Sequence, residues 1–443
     1  MYSSFLFPIL TAGLASAQLA DQYITPLQAD AYSCGAACYA AYNASAEAEL
    51  VNLQGLGKGD FYETAKNFTG SKPGDLLKLE ALDPKTLFTQ PGTTAYRIQY
   101  TSKDLDGSPV PVTGFVAFPY SLPEGQDKFR MMTWAHGTSG LHRACVPSGS
   151  NNLYKAPWYP ALTHGYAVVA TDYAGLGNNY TTHKYVSYPA HASDVYYSNI
   201  AARKAFPGVF AKEWVSYGHS QGGGAVWRLA ESDYVQDEKE GYLGTVVLAP
   251  GVRVVEMALK NYDTYPQNGL HVLVPTAVRR FNSSYNGTFL SDVLEKRTQL
   301  AELAQACIFG SASMIAGLSK EEIISRKRLK RDMSVYEAWQ KAVSPAMGAK
   351  SSSPVLLVQG LNDTQVIPYA TKEAWKTACD AGNEVHLRLY PELEHIPLVS
   401  ATASDWIAWV DDLFNNNNKR QKGKCSSETK KPFDAKHVQL NLP

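Results

Sequence analysis

Ser216-Tyr217-Gly218-His219-Ser220-Gln221-Gly222-Gly223 is the stretch from which the fold is read. Trp214 to Tyr217 is a short strand-like run that leads directly into Gly218-His219-Ser220-Gln221-Gly222, a G-x-S-x-G pattern. A small-residue helical stretch, Gly223-Gly224-Ala225-Val226, leaves it. A serine on a sharp strand-to-helix turn sits in strained backbone with its hydroxyl exposed. Neighbours without Cβ let strand and helix approach closely. A serine hydroxyl is a poor nucleophile at neutral pH and needs a base within hydrogen-bond reach. The stretch therefore predicts a nucleophilic Ser220 and requires a base, an orienting acid and an oxyanion site from elsewhere in the chain.

Outward from this turn the pattern alternates. Strand-like runs occur at Tyr96 to Tyr100, Val110 to Pro119, Met131 to Ala135, Tyr166 to Thr171, Thr245 to Leu248, Val355 to Val358 and Val385 to Tyr390. Helical stretches, such as Ala192 to Ala205 and Gly224 to Ser232, lie between the later ones, and Ala29 to Leu53 reads as helix near the start. Strands alternating with helices predict an α/β fold with a mostly parallel central sheet covered on both faces. One interval, 251–351, is helical throughout. Ser291 precedes a run with Leu300, Leu303, Ala304 and Cys307 at helix spacing. Ser319 with Glu322, and Ser334 with Glu337, read as two capping boxes. The expected organisation is a core of 18–250 and 352–443 carrying an inserted helical cap of 251–351, with a polar tail opening at Asn415 to Asn418.

His395 is the candidate base, because it follows the last strand by a few residues and precedes a helix with Trp406, Trp409, Val410 and Leu413 on its core face. Asp363, three residues beyond the strand ending at Gly360, is the candidate acid; it would hold the imidazole tautomer and stabilise the imidazolium. Glu392 and Glu394 are rivals, too close in sequence to His395 to orient it easily. Asp172 ends a strand that precedes the nucleophile and reads as structural. His219 points away from Ser220 on the turn, so it lines a pocket at most. The order Ser, Asp, His is that of α/β-hydrolases. The oxyanion donors are expected to be the backbone N–H groups of Gln221 and of Thr138, in the His136-Gly137-Thr138 segment that ends a strand. Each such donor is worth about 10²–10³ in rate.

Composition narrows the setting. The 443 residues are 45% hydrophobic and 19% charged, so a large core is available. Forty-one basic residues balance 41 acidic ones, without the basic surplus of a nucleic-acid binder. No apolar run is long enough to span a bilayer. Phe5 to Leu14 is a short apolar run followed by Ala15-Ser16-Ala17, which predicts a signal peptide over 1–17 and secretion. Six cysteines form an even set, as in oxidised secreted chains, and allow 15 full pairings. Sequons at Asn43, Asn67, Asn179, Asn282 and Asn286 are expected glycan sites; a buried Asp363 argues against the sixth, Asn362. The Arg326 to Arg331 basic run reads as a solvated helix face, and a minority reading is contact with an anionic interface. There is no metal-binding or phosphate-binding motif, so no metal and no cofactor are expected.

Three segments, taken in order, resemble the fungal secretory lipase family: WAHGTSGLHRACVPS (Trp134 to Ser148), GYAVVATDYAGLG (Gly165 to Gly177) and SYGHSQGG (Ser216 to Gly223). The resemblance covers roughly residues 70 to 415. It implies an α/β-hydrolase with a helical cap, and Ser220, Asp363 and His395 as its triad. It also implies disulfides Cys145–Cys307 and Cys379–Cys425, leaving Cys34 and Cys38 over, which are free to pair with each other. The chain departs from the family after Gly177, where relatives tend to carry His-Pro-Tyr and this one has His183-Lys184-Tyr185. The expected function is a secreted, monomeric lipase or esterase that acts through an acyl-enzyme and works on an ester or lipid substrate, with a lipid–water interface as a setting. The rival readings are an acyltransferase or a tailoring esterase for a specialised natural-product ester. A peptidase and a non-catalytic binding protein stand further off.

Overall fold

The structure is a computed structural model that describes residues 23–52, 59–154, 157–236, 241–265, 267–415 and 424–440. The expected signal peptide, 1–17, lies outside the described residues, as do Asn416 to Asn418. Among the described residues ten strands form one sheet: β1 Leu76–Ala81, β2 Thr94–Lys103, β3 Pro109–Phe118, β4 Phe129–Ala135, β5 Ala167–Thr171, β6 Phe210–His219, β7 Tyr242–Leu248, β8 Val355–Gly360, β9 Val385–Tyr390 and β10 Ser426–Thr429. Their order is β1-β2-β3-β5-β4-β6-β7-β8-β9-β10. The β1–β2, β2–β3 and β3–β5 pairs are antiparallel, and all the others are parallel.

Side chains alternate across the parallel strands, as the two-residue repeat of a strand requires. Met131, Trp214, Val247 and Leu357 point into one core, while Met132, Val215, Val246 and Leu356 point into the other. Both faces are therefore apolar, and both are covered. The first carries helices Tyr188–Ala205 and Gln221–Ala230; the second carries Tyr159–Thr163 and Ala403–Phe414, which buries Trp406 and Val410. From β4 the chain crosses to β5 on one side and then to β6 on the other. The carboxyl end of β4 is thus the point where the winding reverses, and a crevice opens there.

The region between β7 and β8 is an insertion of helices, including Val274–Phe281, Asp292–Leu303, Ile308–Ser313 and Arg326–Val343. Ser291 caps its helix, and Ser319 with Glu322 forms the expected box. Ser334 does not start a helix: it lies inside Arg326–Val343, which Ser325 caps instead. The basic run supplies the opening turns of that helix, where Arg326 pairs with Asp263, Arg328 with Asp292 and Arg331 with Asp332. Near the N-terminus, the expected single helix is two, Pro26–Ala31 and Ala36–Asn52. The chain breaks at Ser33, whose φ is 60°, before Cys34 bonds to Cys38.

The expected pairings Cys145–Cys307 and Cys379–Cys425 are both formed. The second ties the residue before β10 to the helix Pro368–Asp380. Two strands escaped the sequence reading, β1 and β10. Ser426–Thr429 is exposed at every position and so has no alternating pattern. No helix among the described residues is long and apolar enough to cross a membrane. Replacing both Cys379 and Cys425 with Ser reopens a loop of sequence separation 46, for which chain entropy gives a loss of about 4 kcal/mol. The expected outcome is a lower melting temperature, with β10 amides losing hydrogen-exchange protection first. An unchanged melt would mean that the β9–β10 ladder alone holds the strand.

Candidate active site

Strand β6 ends in the turn anticipated from the sequence. Ser220 has φ 58° and ψ −119°, a conformation that costs a non-glycine residue about 1–3 kcal/mol. The surroundings enforce it. The Ser220 N–H donates to Leu248 O at 2.9 Å, and the Ser220 carbonyl accepts from Gly251 N–H at 2.9 Å. A Cβ on Gly222 would lie 1.8 Å from Ala135 O, and one on Gly218 would lie 2.3 Å from Gly222 O. Only glycine lets the helix Gln221–Ala230 start this close to β4.

Asp363 and His395 meet beside this turn. His395 Nδ1 lies 2.7 Å from Asp363 Oδ2, and both residues are buried. The N–H groups of Gln365 and Val366 donate to Asp363 Oδ1 at 2.9 and 2.8 Å, so this carboxylate is gripped on both oxygens. Gln359, at the end of β8, donates its amide to Asp363 Oδ2 at 3.2 Å, to Val366 O and to Gly360 O. Its own carbonyl accepts from Thr371 Oγ1 at 2.6 Å. Nδ1 being engaged, Nε2 is the imidazole nitrogen left for the cavity that His395 and Ser220 both line. Neither Glu392 nor Glu394 contacts the imidazole in the way Asp363 does. His219 lines the cavity too. Burial holds its pKa well below the ordinary range, and its Nε2–H donates to the His395 carbonyl at 3.0 Å, anchoring the histidine loop.

The segment after β4 runs alongside. Register Ala135↔Gly218 places His136-Gly137-Thr138 next to the turn, and a Cβ on Gly137 would be 3.4 Å from Ser220 Cβ. Burial lowers the His136 pKa to about 4, so the ring is neutral and donates one hydrogen bond. The shorter contact, Nδ1 to Gly137 O at 2.6 Å, takes it. In a trans peptide C=O and N–H point in opposite directions, so fixing the Gly137 carbonyl toward His136 turns the Thr138 N–H away from that ring. The Thr138 carbonyl accepts from Tyr154 Oη at 3.1 Å. Gln221 opens its helix, so its N–H has no carbonyl four residues back to bond. A serine on such a turn and an imidazole oriented by a carboxylate are two of the parts that acyl transfer requires.

The cavity has a volume of about 310 Å³ and is mainly apolar, with Trp134, Tyr185, Met257, Val274 and Phe309 among its walls. Glu49, His271 and Phe309 also line it and were not legible in the sequence. His183 accepts from the Gln221 side-chain amide at 3.2 Å and donates through Nδ1 to Ala174 O. Tyr185 reaches the cavity, whereas Lys184 pairs with Asp104 at 2.5 Å. Asp172 is structural. It is buried and accepts from Thr113 Oγ1 and from both the N–H and the hydroxyl of Ser148, and burial raises its pKa to about 6. Of the sequons, Asn67, Asn179, Asn282 and Asn286 are exposed, and Asn43 is half-buried on a helix. No group of three or more His, Cys, Asp or Glu side chains arranged to hold a metal ion occurs among the described residues.

A family model described as secretory lipase matches residues 154–422. The chain belongs to the secretory lipase family. Lipase 10 of Candida albicans is 23% identical over 417 residues, covering 85% of each chain. Candida antarctica lipase A in its closed state superposes with a TM-score of 0.64 at 13% identity, covering 85% of this chain and 90% of that one. The rice cell wall degrading esterase LipA from Xanthomonas oryzae superposes with a TM-score of 0.61 at 16% identity, covering 79% and 100%. These likenesses carry the α/β-hydrolase fold, and family membership makes the chain a carboxylic ester hydrolase. Within this secretory lipase framework Gln359 is a positioning residue for Asp363. Gln359→Leu is expected to lower kcat for ester hydrolysis roughly 10- to 100-fold, with KM little changed. A change in KM alone would contradict this role.

Proposed function

We propose that Ser220 is the nucleophile of a lipase or esterase reaction, with His395 as base and Asp363 as its orienting acid. The observation that carries the reading is the 2.7 Å contact between His395 and Asp363, at the mouth of a turn that holds Ser220 at positive φ. Ser220 Oγ attacks the ester carbonyl while His395 Nε2 takes its proton. The N–H groups of Thr138 and Gln221 receive the negative charge that develops on the carbonyl oxygen. His395 then protonates the departing alcohol, leaving an acyl-enzyme. Water, deprotonated by the same nitrogen, attacks the acyl carbon and frees the acid. Asp363 stays ionised and holds the tautomer throughout. No cofactor enters these steps.

The insertion over 251–351 is read as a cap on the core 18–250 and 352–443, since Met257, Leu270 and Val274 supply apolar cavity wall. Secretion with removal of 1–17, glycans on the exposed sequons and action at a lipid–water interface belong to the same reading. The tailoring-esterase alternative draws on one specific observation, the presence of Glu49 and His271 among the walls of a mainly apolar cavity.

The test is a series of p-nitrophenyl esters, from acetate to palmitate, with fluorophosphonate labelling of the wild type and of Ser220→Ala. Turnover and labelling are both expected to vanish in the variant, a loss of about 10⁴-fold or more in kcat. A well-folded wild type that fails to label would overturn the assignment.

A further inference from the structure

The helix Ile308–Ser313 lies in the insertion and gives the cavity two wall residues, Ile308 and Phe309. Its first amides have no carbonyl four residues back to bond. The residue at its N-cap position, Cys307, offers no side-chain acceptor, because its sulfur is bonded to Cys145. Partners come from elsewhere in the chain. Ile308 N–H donates to Ser139 O at 2.9 Å, and Phe309 N–H donates to Glu49 at 2.5 Å. Glu49 stands on the helix Ala36–Asn52, outside both core and insertion. It shares the buried face of that helix with Cys38, Tyr42 and Ala46, at helix spacing, where an apolar residue is the rule. Burial raises its pKa to about 7, and the amides of Phe309, Gly310 and Cys307 pull it the other way. A Cβ on Gly310 would lie 3.3 Å from both Glu49 Oε2 and Tyr42 Cε2, so the two helices meet at glycine distance.

Phe309 also occupies a particular place in the cavity. It is 46% exposed although it lines the wall, and Ile396, beside His395, is 47% exposed. The other apolar walls named above, Trp134, Tyr185, Met257 and Val274, are buried. A wall residue that is half in solvent stands where the cavity opens. Phe309 marks an opening on the side of the insertion, and Ile396 one on the side of the histidine loop. Phe309 is held from two directions, by the Cys145–Cys307 bond and the Ser139 carbonyl on the core side, and by Glu49 on the other.

We propose that Glu49 is a positioning residue for the substrate pocket: by holding the Phe309 amide it fixes an apolar side chain at the opening, so that the N-terminal helix takes part in selecting esters by chain length. The Glu49 carboxyl is buried and touches no substrate; it acts through Phe309. Without it the Phe309 N–H is left unpaired, and the first turn of the helix shifts toward another acceptor or toward water. Methylene groups that rest on Phe309 then lose their contact, and a long chain loses more than a short one. The inference rests on the hydrolase reading of this cavity.

The experiment measures kcat and KM for p-nitrophenyl esters from acetate to palmitate and for alkyl acetates of matched lengths. The proteins are the wild type, Glu49→Leu, Glu49→Gln, Phe309→Ala and the double variant Glu49→Leu with Phe309→Ala. In Glu49→Leu the ratio of kcat/KM for long esters to that for short ones is expected to fall about 10-fold, through KM of the long esters. Glu49→Gln keeps an oxygen for the Phe309 N–H and is expected to stay near the wild-type ratio. Phe309→Ala is expected to lower the ratio as Glu49→Leu does, and the double variant to lower it little further, since both changes act on one side chain. Should Glu49→Leu fail to fold, Glu49→Asp, whose carboxylate is one methylene short of the amide, takes its place. A melting temperature that falls while the ratio stays, a loss equal at every chain length, or effects of Glu49 and Phe309 that simply add would overturn the proposal. Fluorophosphonate labelling of the wild type reports on the hydrolase reading separately. Labelling leaves that reading standing in each of those cases, and its absence would overturn both.

Discussion

The carbonyl of Ala135 touches the backbone at Gly222, and the geometry of the site follows from that contact. Strands β4 and β6 are neighbours in register, so their carboxyl ends deliver two loops to one place. A helix can begin right there only if its first turn has no Cβ facing β4, since a methyl group would sit 1.8 Å from an oxygen. The close approach forces the sharp turn, the turn forces Ser220 to positive φ, and the same proximity sets the His136-Gly137-Thr138 segment beside Ser220. Loss of the contact would move the segment after β4 away from the serine even if every side chain were retained.

The remaining parts are held by polar groups that burial leaves no alternative. Asp363 has four hydrogen bonds and Gln359 has four, so neither can rotate without stranding a buried atom. His136 and His219, both kept neutral by burial, spend their ring protons on backbone carbonyls, one fixing the segment after β4 and the other the loop that carries His395. The insertion is tied to the core as well, among other contacts by the Cys145–Cys307 bond and by Arg280, whose guanidinium donates to Leu141 O and His183 O.

Where the sequence was legible, a short-range physical rule was at work. The turn needs glycines at fixed offsets, so Ser220 is visible in five residues. Asp363 and His395 follow from strands that end in recognisable turns, and the sheet follows from apolar runs with a two-residue period. The disulfides came from likeness to a family, not from the spacing of six cysteines. What stayed hidden depends on the tertiary packing. Gln359 reads as the tail of an apolar strand, and only the folded chain shows its amide against Asp363. Glu49 lies more than 150 residues from the turn, on a helix whose pattern gives no hint that it reaches the cavity. Ser334 misled because a serine three residues before a glutamate also occurs inside helices. β10 is a strand because of its partner and its disulfide, not its composition.

In the proposed mechanism the ester's acyl group passes through Ser220. Rapid quench of the wild-type enzyme with a p-nitrophenyl ester, followed by intact-mass measurement and peptide mapping, tests it directly. A mass increment equal to the acyl group is expected on the peptide bearing Ser220, appearing on the timescale of the first turnover and absent in His395→Ala. An acyl group carried on another residue, or acylation of Ser220 undiminished when His395 is replaced, would contradict it.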